Sequence, residues 1–124
     1  RMNRAACLCL LLLFLTPVVV AHHSFAMFDS DRFVETEATV VEFQWTNPHV
    51  WIEIMVTDDT ETANQWSIEG GGKNTLFRSG WRPNTFEPGD VISIRYHPMH
   101  DGSHAGGFIG ARFPDGSTIG RWDE

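Results

Sequence analysis

His49-Val50-Trp51-Ile52-Glu53-Ile54-Met55-Val56 alternates with a period of two. Val50, Ile52, Ile54 and Val56 fall on one side of an extended chain, and His49, Trp51, Glu53 and Met55 fall on the other. An uninterrupted aliphatic row backed by a mixed row is the pattern of a strand with one face on a core. The aliphatic set is therefore the expected core face, and His49, Trp51 and Glu53 are expected to point away from it.

Working outward from this strand, Thr46-Asn47-Pro48 breaks the chain on one side and the polar run 58–64 turns it on the other. Before the break, Thr39, Val41, Phe43 and Trp45 alternate with Val40, Glu42 and Gln44, which predicts a first strand whose apolar face carries the former set. After the polar turn, Gln65-Trp66-Ser67-Ile68-Glu69 reads as a short third strand ending at Gly70-Gly71-Gly72, taken as a flexible joint. A helix of about two turns is expected over 74–81, with Asn74 as its cap and Gly80 as its stop. Glu87-Pro88-Gly89-Asp90 is a turn leading into Val91–His97, where Ile92, Ile94 and Tyr96 should face inward and Ser93, Arg95 and His97 outward. A Gly- and His-rich loop, 98–107, precedes a closing hairpin of strands 108–113 and 118–122. The expected fold is mainly β: a small five- to six-stranded barrel of the oligonucleotide/oligosaccharide-binding (OB) type, with one short helix between strands three and four.

The chain has 124 residues, with 9 Lys and Arg against 16 Asp and Glu. Arg1 and Arg4, the apolar run 5–15 and the small-residue end at Ala21 read as a secretory signal peptide over 1–21, cleaved at Ala21/His22. The apolar stretch is broken by Thr16-Pro17 and falls short of the roughly 20 residues that span a bilayer. The expected mature protein is periplasmic or secreted, a single domain over 22–124 with an N-terminal arm, 22–34, and no membrane span. Removing 1–21 takes away two arginines and no acid, leaving 103 residues at a formal charge of −9. Cys7 and Cys9 leave with the leader, so no disulfide, thiolate ligand or cysteine nucleophile is expected in the mature domain. Strong acidity argues against nucleic acid and anionic membrane surfaces as partners.

All six histidines, His22, His23, His49, His97, His100 and His104, lie beyond the leader. Cleavage would give His22 a free α-amine beside its own imidazole, two nitrogens on one residue. A second imidazole would complete a T-shaped brace suited to Cu(II). The candidate metal set is therefore His22, His23, His49 and His97, with copper the first ion to consider. Met99, His100 and His104 crowd the same loop after strand four but equally suit a solvated loop. A candidate interaction face, with Trp51 and Glu53 at its centre, could hold a glycan, a peptide or a partner protein. Catalysis has thinner support. There is no nucleophile elbow and no singled-out carboxylate pair, and Gly70-Gly71-Gly72-Lys73 lacks the phosphate-loop pattern. A non-enzymatic binding protein is favoured over an oxidative copper enzyme.

The segments HHSFAMFD (22–29), EFQWTNPHVWIEI (42–54), QWSIE (65–69), LFRSGW (76–81), EPGDVISI (87–94) and DGSHAGG (101–107) together resemble a bacterial family of small exported proteins, domain of unknown function 6152. The resemblance covers almost all of the mature chain. It implies export and a single small β domain, supplies no activity, and draws attention to His22, His23 and His49.

Overall fold

The computed structural model describes residues 25–123; the expected leader, His22, His23 and Ser24 lie outside the described residues. Six strands and one helix follow in the order β1 (Val34–Gln44), β2 (Trp51–Thr57), β3 (Ala63–Glu69), α1 (Lys73–Arg78), β4 (Val91–Pro98), β5 (Ala105–Arg112) and β6 (Thr118–Gly120). β3, β2, β1, β4 and β5 are hydrogen-bonded in that order, and a parallel pairing of β3 with β5 closes them into a five-stranded barrel. β6 is an extra strand on the free side of β5. This is the OB-type arrangement expected from the sequence, with α1 between β3 and β4. Among the described residues no helix is long and apolar enough to cross a membrane.

The core follows the alternation. Val50, Ile52, Ile54, Ile68, Ile92, Ile94 and Tyr96 are buried inside the barrel with Ala38, Val40 and Ala111, and Trp81 and Phe86 complete the cluster. Phe43, Trp45 and Phe108 pack against it, with Phe43 and Phe86 in an edge-to-face contact at 5.3 Å.

β1 departs from its expected orientation. Its first half pairs with β4 and its second with β2, and a bulge lies at Val41, where the register to β2 shifts between Val40 and Glu42. One extra residue reverses which side of the strand faces in. Ala38 and Val40 are thus buried ahead of the bulge, Phe43 and Trp45 turn inward beyond it, and Val41 is exposed. The apolar set expected at Thr39 and Val41 was displaced by this single residue.

The glycine run 70–72 is a packed connection where a flexible joint was expected. Gly70 donates to the carbonyl of Val50 at 2.8 Å, and Val50 donates to that of Gly71 at 3.0 Å. A β-carbon on Gly70 would stand 2.6 Å from Cγ2 of Val50, so this approach requires glycine. α1 begins one residue earlier than expected, with Gly72 at the cap position and no side-chain cap; Gly80, at φ +97°, follows its C-terminal end. β5 begins at Ala105, so the loop after β4 is shorter than expected, and β6 stops at Gly120.

Ile54 is fully buried at the centre of β2, so Ile54→Ala should destabilise the fold by about 2–5 kcal/mol in chemical denaturation, through lost transfer energy and an unfilled cavity. Three exposed turns carry a second expectation. Hydrogen bonds from the Thr60 hydroxyl and the Thr62 amide hold the Asp58 carboxyl below the ordinary Asp range. The Ser103 and Ser117 hydroxyls and amides do the same for Asp101 and Asp115. Each bond favours the charged form, so its contribution is present at neutral pH and is lost as pH falls through the lowered titration. An NMR titration should show all three midpoints below that of a model aspartate; ordinary midpoints would contradict the turn geometry.

Candidate functional site

The connection between β1 and β2 places His49 at the mouth of the barrel. The Asn47–Pro48 peptide is cis, and the Thr46 hydroxyl donates to the His49 carbonyl at 2.9 Å. The ties from Val50 to Gly70 and Gly71 then hold His49 beside the end of β3. Its Nδ1 lies 2.5 Å from Oε1 of Glu69.

Glu69 is the most telling residue here, and sequence reasoning passed over it. It is the one buried charged side chain among the described residues, at 5% exposure. Its strand register puts it opposite Trp51 and beside Gly107 on the outer face of the barrel. A carboxylate oxygen accepts, so Nδ1 of His49 is the donor, and in the Nδ1–H tautomer Nε2 keeps its lone pair. No described side chain takes up Nε2. A histidine held at one nitrogen by a carboxylate and open at the other is the arrangement that orients imidazole as a metal ligand or a base.

The described part of the arm covers this region. Asp29 donates to the Pro98 carbonyl at 2.8 Å, His100 donates to the Met27 carbonyl at 3.0 Å, and Phe28 bridges to Met99. Phe28 is buried directly over Gly107, where a β-carbon would come within 2.9 Å of its ring. Phe25 is 58% exposed, and its ring centroid lies 5.9 Å from that of His49.

His97 occupies a different place. It pairs with Gly107 across β4 and β5, and Gly107 in turn neighbours Glu69. Two strand spacings, roughly 10 Å, therefore separate the backbones of His97 and Glu69, and Phe28 sits between them. Nδ1 of His97 donates to the Arg32 carbonyl at 2.6 Å. Neither His100 nor His104 joins His49: His100 is exposed in the loop after β4, and His104 stacks on Trp66 at 4.7 Å. Among the described residues no three His, Cys, Asp or Glu side chains converge as a metal cluster. Trp51 is half-buried on the outer face. Beside it Glu53 accepts from the Ser67 hydroxyl at 2.7 Å and the Gln65 amide at 3.3 Å, so the candidate interaction face is already internally bonded at Glu53.

The family model of DUF6152, a family of unknown function, matches residues 11–108. The chain belongs to this family. In this DUF6152 chain the matched span includes His49, Glu69 and His97 and ends within β5, before β6. Comparison with curated proteins and with solved structures gives no match.

His49→Ala should destabilise the domain by about 1–3 kcal/mol in urea denaturation, because it leaves a buried carboxylate without its donor. Glu69→Ala should cost less, since the His49 ring is 24% exposed and its freed nitrogen can meet water. The double variant should lose less than the two single losses added together, which a double-mutant cycle measures.

Proposed function

We propose that the mature protein is an exported, non-enzymatic binder of a transition-metal ion, copper first, held by His22 and His49. His22 would supply its α-amine and imidazole after cleavage at Ala21/His22, and His49 would supply Nε2. The observation that carries this reading is the His49–Glu69 pair: a carboxylate at 2.5 Å fixes one ring nitrogen and leaves the other for a ligand.

The arm supports the same reading. His22 stands three positions before Phe25 in the chain, a span of at most about 10 Å. Phe25 itself rests against His49. A chain tethered there keeps an N-terminal chelate within reach of the His49 ring without any rearrangement of the barrel. Three nitrogens in this set suit the tetragonal preference of Cu(II). His23 adjoins the same chelate in sequence, whereas His97 is engaged by Arg32 on the far side of Phe28.

A rival reading follows from the OB-type barrel, whose second and third strands and first loop form a binding face in other proteins of this architecture. Trp51 is partly exposed on that face. In this reading a glycan, peptide or partner protein docks there and the histidines are incidental.

Titrating the protein that begins at His22 with Cu(II), followed by EPR, separates the two. The metal reading expects a nitrogen-rich signal that disappears in His22→Ala and in His49→Ala, weakens about 10–100-fold in Glu69→Gln, and weakens when one extra residue precedes His22. Unchanged affinity in His22→Ala overturns it. Saturable glycan or peptide binding that survives chelator and is lost in Trp51→Ala would establish the rival.

A further inference from the structure

The second concentration of unused chemistry lies on the other side of Phe28. A cleft of about 210 Å³ is lined by Phe33, Arg95, His97, Ile109 and Arg121. Its ionisable lining groups are two guanidiniums and an imidazole, and no carboxylate lines it. For an acidic domain this is an unusual place. Of the seven basic residues beyond position 21, four, Arg32, Arg95, Arg112 and Arg121, lie on the arm, β4, β5 and the β6 end of the chain.

Two of these four are already neutralised. Arg32 pairs with Asp29 at 2.9 Å, and Nε of Arg95 pairs with Glu35 at 2.8 Å. Arg95 is also locked in place: Nη1 donates to the Trp122 carbonyl, and its guanidinium lies 4.2 Å from the Trp122 ring centroid. Arg112 lies 5.2 Å from the same ring, outside the cleft. Arg121, like Arg112, has no ion-pair or side-chain hydrogen-bond partner among the described residues, and of those two it is the one that lines the cleft.

The walls are as informative as the charges. Phe33 is 61% exposed at the lip, with the Arg95 guanidinium 5.8 Å from its ring centroid. Ile109 is the residue at which β5 bulges between its pairings of Phe108 and Gly110, and it forms the opposite wall. A planar fork with free donors beside an exposed aromatic ring and an aliphatic side chain matches a ligand with a carboxylate at one end and an apolar body.

We propose that this cleft binds a small apolar monocarboxylate, with its carboxylate on Arg121 and its hydrocarbon or aromatic body between Phe33 and Ile109. Arg95, paired with Glu35 and fixed by Trp122, lines the cleft beside it. His97, held at Nδ1 by the arm, presents its remaining nitrogen to the same space. Ile109 and Arg121 also line a neighbouring cavity with Phe25 and Glu69, so the cleft adjoins the His49–Glu69 pair, but the proposal requires no metal there.

The test uses 3-phenylpropionate as probe, with 3-phenylpropanol and inorganic phosphate as comparators, on the protein beginning at His22. Binding is read from amide shifts in two-dimensional NMR. The expected result is saturable shifts at Phe33, His97, Ile109 and Arg121 with the acid, affinity at least about tenfold weaker with the alcohol and with phosphate, and a similar loss in Arg121→Gln. Arg112→Gln, outside the cleft, should leave binding unchanged. Phe33→Ser provides a second variant that leaves every arginine in place, and it should weaken the acid without affecting the fold's thermal midpoint. Equal binding of acid and alcohol, phosphate binding as tightly as the acid, full affinity in Arg121→Gln, or no saturable shift with the acid would each overturn the proposal.

Discussion

The parallel contact between Ser67–Glu69 of β3 and Ala105–Gly107 of β5 is the constraint on which the rest of the molecule depends. Without it the five strands form an open sheet whose two edges expose unpaired amides and carbonyls. With it the sheet closes and its aliphatic rows meet in one core. The contact is short, and it is glycine that permits it. A β-carbon on Gly106 would stand 2.4 Å from the Tyr96 ring inside the barrel, and one on Gly107 would strike Phe28 outside. One glycine therefore lets β5 lie close over the core, and the next lets the arm lie close over β5. The same three pairs set Glu69 beside Gly107, so closure of the barrel brings the arm to the His49–Glu69 pair that the β2–β3 register has placed.

Much of this was legible in the sequence because antiparallel strands advertise themselves locally. The rows at Val50–Ile54 and Ile92–Tyr96 alternate without interruption, and both lie inward as their period requires. What escaped the sequence is whatever depends on two distant segments at once. The bulge at Val41 answers to the change of partner from β4 to β2, which no local pattern records. The start of β5 is Ala-Gly-Gly, too small to show alternation, although its small size is what the closing contact demands. The glycine run at 70–72 looked like slack for the same reason: only the position of Val50 shows that the chain there is tight.

The candidate site divides along the same line. His49 was legible as an outward residue, since it continues the row of Trp51 and Glu53 past the start of β2. Glu69 was not, because an acid at the end of a strand and ahead of glycines has the composition of a solvated terminus. A signal did exist. Once β2 and β3 are taken as an antiparallel pair, Trp51 falls opposite Glu69, and His49, two residues earlier, must turn back over that carboxylate. The bond between His97 and the Arg32 carbonyl has no such signal, since a backbone acceptor carries no residue identity.

The arm gives these two histidines different roles from similar surroundings. Both sit on the outer face, both have Nδ1 engaged, and both keep Nε2 available. Their partners differ in charge: a buried carboxylate stabilises positive charge at His49, such as a metal ion, whereas a neutral carbonyl at His97 leaves the guanidinium of Arg121 to set the local field. Phe28, buried over Gly107, stands between the two histidines. Packing the arm onto the glycine strip sets Phe25 against His49 and Phe33 at the lip of the cleft, so the arm serves the surface chemistry of this barrel as directly as it serves its stability.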